Sequence, residues 1–424
     1  MRKQIGLLLL VAFVAAVAQQ TDVIYDETKV PKYTLPPLLT LRSGQPVSDA
    51  KTWTSRRRPE ILAIYEAEVY GKSPAKPPKL NYEVKSVEKS ALEGKAIRKL
   101  VTVFFGEKPD APKMDLLVYL PAGAKKPVPV ILGLSFAGVH TVANDPGVPL
   151  AEQWVRDVKQ PALEKSRGAS ISQWQVDRIL SAGYGLATFY YGQIEPDFAG
   201  GMKYGIRPLF LKPGQTDPAP DEWGAVAAWA WGASRAMDYL EKDKDVDSHR
   251  VALFGHSRLG KAAIWAGAQD TRFSFVIANE SGEGGAAISR RDFGERTKDL
   301  NTRFPHWFDG NFKKYSARED EMPFDSHMLL SLIAPRGLYV ASAEGDQWSD
   351  PRGEFLGAAN ASPVWDLFGK KGIGTMAMPP LHQPVGDNVR YHIRAGKHDV
   401  TAYDWEQYLK FAAAQWGGPS EPRP

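Results

Sequence analysis

The chain contains no cysteine in 424 residues. Disulfides, a thiol nucleophile and thiolate metal sites are therefore excluded. A protein of this size can be held together by its core alone. No run beyond the N-terminus is apolar enough to cross a bilayer. An excess of one charge is lacking too. Lys and Arg number 53 against 49 Asp and Glu, a net charge of +4, and Arg2 and Lys3 belong to that small excess. Such a balance gives no general attraction to nucleic acid or anionic membrane, so neither partner is expected. Metal-ligand spacings of the H-E-x-x-H or H-x-H kind do not occur. There is no phosphate loop, and Gly282, Gly284 and Gly285 do not make a dinucleotide fingerprint. No cofactor is expected, and the chain is expected to be a monomer.

The N-terminus has the layout of a signal peptide, residues 1–18. Arg2 and Lys3 precede a mostly apolar stretch, residues 5–17, and Ala16-Val17-Ala18 reads as an A-x-A cleavage site. The apolar stretch is short for a membrane anchor. The mature protein, residues 19–424, is expected in the periplasm or outside the cell. Twelve tryptophans and sixteen tyrosines belong mainly to the core, with some available to stack on sugar rings.

Residues 20–55 are proline-rich and aperiodic, and read as an extended arm over a catalytic domain. Residues 56–70 have helical apolar spacing. Strand-like runs follow at 80–87, 98–105, 116–120, 129–136, 185–191, 250–254, 275–278, 337–342 and 390–394. Residues 223–240 and 402–416 read as helices. From about residue 95 strands alternate with helices, which predicts a mostly parallel sheet with crossover helices on both faces. Residues 142–168 and 292–322 read as insertions. No linker or repeat divides the chain, so one α/β domain is expected for residues 19–424.

The segment Gly255-His256-Ser257-Arg258-Leu259-Gly260 joins a predicted buried strand to an alanine-rich helix. A serine at such a turn presents its hydroxyl beside the N–H groups of a helix start, as in the nucleophile elbow of the α/β-hydrolase fold. The generic pattern is G-x-S-x-G, and here the second glycine comes one residue late. A serine nucleophile needs a base, and the base an orienting acid, in the chain order serine, acid, histidine. Of eight histidines, only His398 fits that order and directly follows a terminal strand. Two acids qualify: Glu280 after the strand that follows the elbow, and Asp346 after the next. Sequence order leaves both open.

At these residues the chain resembles the glucuronoyl esterases, carbohydrate esterase family fifteen. Their elbow reads G-x-S-R-x-G-K, matched here by Gly255 to Lys261, which accounts for the displaced glycine. Fungal members usually carry a disulfide cysteine where this chain has His256, so the resemblance is to bacterial members. Glu280-Ser-Gly-x-Gly-Gly285, Trp223-Gly-Ala through Trp229-Ala-Trp-Gly232, Asn301-Thr-Arg-Phe-Pro-His-Trp307, Asp325-Ser-His327 and Asp346-Gln-Trp-Ser-Asp-Pro351 match as well. So do Tyr33-Thr-Leu-Pro-Pro37 and Arg58-Pro-Glu-Ile-Leu62. The segment Gly133 to His140 departs from the family's asparagine-rich loop.

The resemblance implies cleavage of esters between (4-O-methyl-)glucuronic acid of glucuronoxylan and lignin alcohols. It implies Ser257 as nucleophile and His398 as base. Glu280 corresponds to the acid of fungal members and Asp346 to a second acid of bacterial ones; sharing with Glu280 dominant is expected. Arg258 corresponds to an arginine that helps hold the oxyanion. Lys261, Glu295 and Trp348 correspond to residues that contact the uronic acid. Lys261 lies one helical turn beyond Ser257, within reach of sugar hydroxyls. The rivals are another carbohydrate esterase, such as an acetyl xylan esterase, and a catalytically silent α/β-hydrolase-fold binding protein.

Overall fold

A computed structural model describes residues 23–74, 79–107, 111–125 and 127–418. The expected signal peptide lies outside the described residues. Ten strands form one sheet: β1 Leu80–Ala91, β2 Ala96–Phe105, β3 Lys113–Pro121, β4 Val128–Ser135, β5 Gly185–Tyr190, β6 Val246–His256, β7 Phe275–Asn279, β8 Gly337–Ala343, β9 Val385–Gly386 and β10 Val389–Arg394. Their order in space is β1-β2-β3-β5-β4-β6-β7-β8-β10-β9.

From β5 through β4, β6, β7 and β8 to β10 every pairing is parallel. The first three strands are not part of that pattern. β1, β2 and β3 pair antiparallel, and β3 meets β5 antiparallel. The alternation expected from residue 95 therefore begins only at β4. The reason is the length of the links: residues 106–112 between β2 and β3 allow a hairpin but no crossover helix. At the open edge, β1 exposes Lys85, Glu88 and Lys89 and carries a register shift between Val84 and Ser86, both of which discourage pairing with another chain.

The strands' side chains alternate between two cores. In β6, Val251 and Leu253 point to one and Ala252 and Phe254 to the other. All of β4 is buried, because a sheet covered on both faces tolerates continuous apolar runs. Six helices pack on the sheet or support the site: α1 Arg58–Glu68, α2 Ala225–Leu240, α3 Arg258–Gln269, α4 Ser326–Ser331, α5 Pro351–Ala361 and α6 Ala402–Trp416. α2 and α3 fill the first core with Trp229, Met237, Ile264 and Trp265. α6 fills the second with Trp405, Tyr408 and Phe411. Its limits coincide with the sequence expectation. Thr401 and Asp404 form a capping box at its start, and Gly417 ends it in a left-handed conformation, φ 79°.

The proline-rich arm is tied down through its carbonyls. Arg57 donates from Nη2 to the Pro37 oxygen (2.7 Å) and from Nε to that of Leu38 (2.8 Å). His327 Nε2 donates to the Pro36 oxygen at 3.0 Å. The Asp325-Ser-His327 match is thus structural: Asp325 begins α4 and His327 holds the arm. Both predicted insertions follow carboxyl ends of parallel strands, β4 and β7. One contains the hairpin Glu152–Val155/Val158–Pro161, the other the helix Thr297–Arg303.

Helix α3, which follows Ser257, rests on the segment just after α1 through a stack of Trp265 on Tyr70, ring centroids 4.5 Å apart and 14° between planes. Both rings are fully buried. Trp265→Ala is expected to destabilise the fold by about 3–5 kcal/mol. Guanidinium unfolding of the variant should show a clearly lower midpoint; an unchanged midpoint would mean the stack contributes nothing.

Candidate active site

Parallel register brings four chain segments to one edge of the sheet. Ser257 follows β6, Glu280 follows β7, Asp346 lies just beyond β8 and His398 beyond β10. Ser257 sits at φ 57°, ψ −131°, a conformation that costs a non-glycine residue energy and clusters at functional turns. The turn dictates its glycines. A Cβ on Gly255 would overlap the Leu259 carbonyl oxygen, and one on Gly260 would stand 2.9 Å from Ser281 Cβ. The late second glycine therefore serves the packing of α3 on the segment after β7. Ser257 N donates to the Asn279 carbonyl at 2.9 Å. Its hydroxyl makes no hydrogen bond among the described residues. Such contacts often form only with substrate bound.

His398 is 40% exposed at its side chain. Its Nδ1 lies 2.6 Å from Asp346 Oδ2 and 3.0 Å from Glu280 Oε2. Both candidate acids thus reach the same nitrogen. Burial pushes the His398 pKa down, but the hydrogen bonds and charges of Asp346 and Glu280 outweigh it and lift the pKa well above the ordinary histidine value. Burial raises Asp346, and the His398 contact more than offsets this, leaving its carboxyl below the usual range. Glu280 is more deeply buried, and desolvation drives it up to about 7 in spite of His398 and Arg394. Its oxygens are fully engaged: Arg394 Nη2 donates to Oε1 at 2.7 Å, and the Asp399 N–H to Oε2 at 2.9 Å.

His256 packs its ring 4.5 Å from that of His398. Its Nδ1 meets Asn279 Oδ1 at 2.6 Å, so Nδ1 carries the proton. Burial, then the neighbouring His398 charge, lowers its pKa to about 3; it is a neutral platform. His256, Glu280 and His398 bring ligand atoms within 4.8 Å of one another. A cation there would face the Arg394 guanidinium, and the hydrogen bonds of Glu280 would have to be broken.

Arg258 opens α3. Its Nη1 lies 3.2 Å from Asp197 Oδ2, and its guanidinium carbon 5.1 Å and 5.5 Å from the Phe136 and Trp307 ring centroids. The other three predicted contacts form one cluster. Lys261 Nζ approaches Glu295 Oε2 at 3.3 Å and donates to the Ser281 carbonyl at 2.6 Å. Trp348 Nε1 donates to Glu295 Oε1 at 3.1 Å. Lys261 is 4% exposed, so its ammonium serves these internal partners rather than standing free for a sugar. Trp348 is half-buried and Arg303 covers its ring.

Sequence reasoning missed Asp197, Arg394 and Asp404. Arg394 bridges Glu280 and Asp404, and Asp404 also accepts from His392 Nε2 at 2.9 Å. A partial signal existed for Asp404, in the Thr401–Asp404 capping spacing. None existed for Asp197.

A family model for fungal glucuronyl esterases matches residues 218–369. A carbohydrate esterase from an unknown prokaryotic organism is 48% identical over 410 residues, covering 95% of this chain and 94% of its own. A solved glucuronoyl esterase structure from Solibacter usitatus is 82% identical, with TM-score 0.90, over 92% of this chain and 100% of that one. A Podospora anserina 4-O-methyl-glucuronoyl methylesterase is 35% identical over 156 residues, 34% of this chain and 32% of its own. With an α/β-hydrolase sheet, the G-x-S-R-x-G-K elbow and these relatives, the chain belongs to the glucuronoyl esterase family, carbohydrate esterase family 15.

Proposed function

We propose that this protein is an exported serine esterase that cleaves esters between (4-O-methyl-)D-glucuronic acid of glucuronoxylan and lignin alcohols. The observation that carries the reading is the meeting, on one sheet edge, of a serine in a strained turn and an imidazole between two carboxylates. The names of the relatives support the substrate class, and the signal-like N-terminus supports export.

His398 Nε2 takes the Ser257 proton as Oγ attacks the C6 carbonyl of the sugar acid. The oxygen that becomes negative faces the Arg258 backbone N–H, unpaired at the first position of α3, and the Arg258 guanidinium. Donors of this kind are worth about 3–4 kcal/mol each in the transition state. As the C–O bond breaks, His398 returns the proton to the departing alcohol. Water, activated by the same imidazole, then releases the glucuronate from Ser257. Glu280 and Asp346 share the task of fixing the Nδ1 proton. Asp346 makes the shorter contact, so the distances favour it over the expected dominance of Glu280. Trp348 offers the half-buried face that receives the sugar ring, held by Glu295, which Lys261 braces from beneath.

Ser257→Ala should lower kcat by on the order of a million-fold on benzyl glucuronate, with the protein still folded. More than a few per cent residual kcat would remove Ser257 as nucleophile. Wild type should prefer benzyl or methyl glucuronate to acetylated xylan and aryl acetates; the opposite preference would make it an acetyl esterase. No turnover of either would leave a binding protein.

The two carboxylates also set the pH dependence. The base must be neutral, and nearby negative charge holds the proton on His398, so the acid limb of kcat/KM should lie above an ordinary histidine's pH. Asp346→Asn removes one charge, favours the neutral ring and should move that limb to lower pH, by roughly one unit. Glu280→Gln should move it the same way by less, because Arg394 already balances Glu280. A limb that stays put or rises in both variants would contradict the shared contact. The double variant should lose more kcat than the product of the single losses; a multiplicative loss would assign orientation to one acid alone.

A further inference from the structure

Arg258 has a long side chain at the mouth of the site, 29% exposed. Left to itself it would sample many rotamers, and a donor that must be ordered during the reaction stabilises little. The structure supplies an anchor. Asp197 Oδ2 meets Arg258 Nη1 at 3.2 Å and accepts from the Tyr191 hydroxyl at 3.0 Å. Asp197 Oδ1 accepts from Trp307 Nε1 at 2.7 Å and from His306 Nε2 at 2.9 Å. Three donors from the protein thus fix the carboxylate, and the guanidinium meets it at Oδ2. Its supports are rigid in turn: Tyr191 packs edge-on against the buried Trp229, centroids 4.9 Å apart. Phe136 and Trp307 confine the cation from its sides. Arg258 Nη2 makes no hydrogen bond among the described residues.

We propose that Asp197 is a positioning residue for Arg258. It holds Nη1 so that Nη2 points to the carbonyl oxygen that becomes negative. The proposal rests on the reading of Arg258 as an oxyanion donor. Asp197 touches no reacting atom and does for Arg258 what the two acids do for His398. It also gives a purpose to two elements of the family-like segments that the mechanism leaves unused, His306-Trp307 and Trp229.

The sign of the effect is diagnostic. Deleting a nearby negative charge by itself favours a developing oxyanion. A fall in kcat on removing Asp197 therefore reports lost placement of the cation, not lost charge. Asp197→Asn is nearly isosteric and turns an NH2 toward the guanidinium in place of an oxygen. On methyl glucuronate it should lower kcat by about 10- to 100-fold, less than the roughly 100- to 1,000-fold for outright loss of one oxyanion donor, and change KM less than about threefold. Arg258→Ala should show a loss of the same kind, and adding Asp197→Asn to it should cost at most a further two- to threefold. His306→Leu removes one support of Asp197 without touching Arg258, and the His306 Nδ1 has no other partner to lose among the described residues. It should lower kcat by a few-fold in the wild-type background and not in the Arg258→Ala background. It also keeps the question open to measurement if Asp197→Asn does not fold.

The outcomes separate cleanly. If Arg258→Ala lowers kcat but Asp197→Asn and His306→Leu leave it at or above wild type, the positioning role is wrong and the oxyanion role stands. If the Asp197→Asn and Arg258→Ala losses multiply, Asp197 acts by another route. If Arg258→Ala leaves kcat unchanged, the oxyanion role of Arg258 fails, and the role of Asp197 with it.

Discussion

The site depends on the parallel register of β6, β7, β8 and β10. His256 pairs with Asn279, Asn279 with Ala341, and Ala343 with Arg394. These pairs set the heights at which the four chains leave the sheet, and so bring Ser257, Glu280, Asp346 and His398 together. A slip of one residue would turn each strand's apolar side chains to the wrong core. The alternation of Val251, Ala252, Leu253 and Phe254 between two cores makes such a slip expensive. The burial that stabilises the fold therefore also fixes the positions of the polar groups at its edge, none of which could order itself at a solvent-facing loop alone.

The charges at that edge follow one scheme: each cationic or cation-forming group is held by a carboxylate that is itself held. His398 meets Asp346 and Glu280. Glu280 is fixed by Arg394, which is fixed by Asp404, which caps α6 and binds His392. Arg258 meets Asp197, which is fixed by Tyr191, His306 and Trp307. Breaking a buried pair on one side leaves an uncompensated charge, costing several kcal/mol. Each chain therefore ends in secondary structure rather than in solvent. α6 does two jobs, packing the second core and bracing the loop that carries His398.

Much of this could be read from the residues in order. The strand runs, the turn at Ser257, the place of His398 after the terminal strand and α6 over 402–416 needed only apolar periodicity, turn chemistry and chain order. The antiparallel start of the sheet was less visible, because link length rather than strand composition decides strand direction. Order also left Glu280 and Asp346 undecided; the contact of both with one nitrogen depends on how far each segment extends past the sheet, which no local pattern encodes. The position of Lys261 one turn beyond Ser257 is legible in the sequence, but its burial beneath Glu295 comes from the insertion that contains Glu295. Asp197 gave no signal. It lies in a turn-rich stretch after β5 with no recognisable spacing to Arg258, and meets it only because the carboxyl ends of β5 and β6, on either side of β4, open onto the same edge.

The two sides of a bound ester would then meet unlike surroundings. On the acid side, Lys261, Glu295 and Trp348 are mutually hydrogen-bonded, and Glu295 N donates to the Trp348 carbonyl at 2.8 Å. This wall is rigid before any ligand arrives, so little side-chain entropy is lost on binding. In the proposed function a sugar acid meets this wall chiefly through the half-buried Trp348, since Lys261 is 4% exposed. A ring of another shape would meet a surface that does not adjust to it. The polar residues proposed for binding all lie on the acid side. Selectivity should accordingly be strict for the uronic acid and permissive for the alcohol, as suits a heterogeneous leaving group.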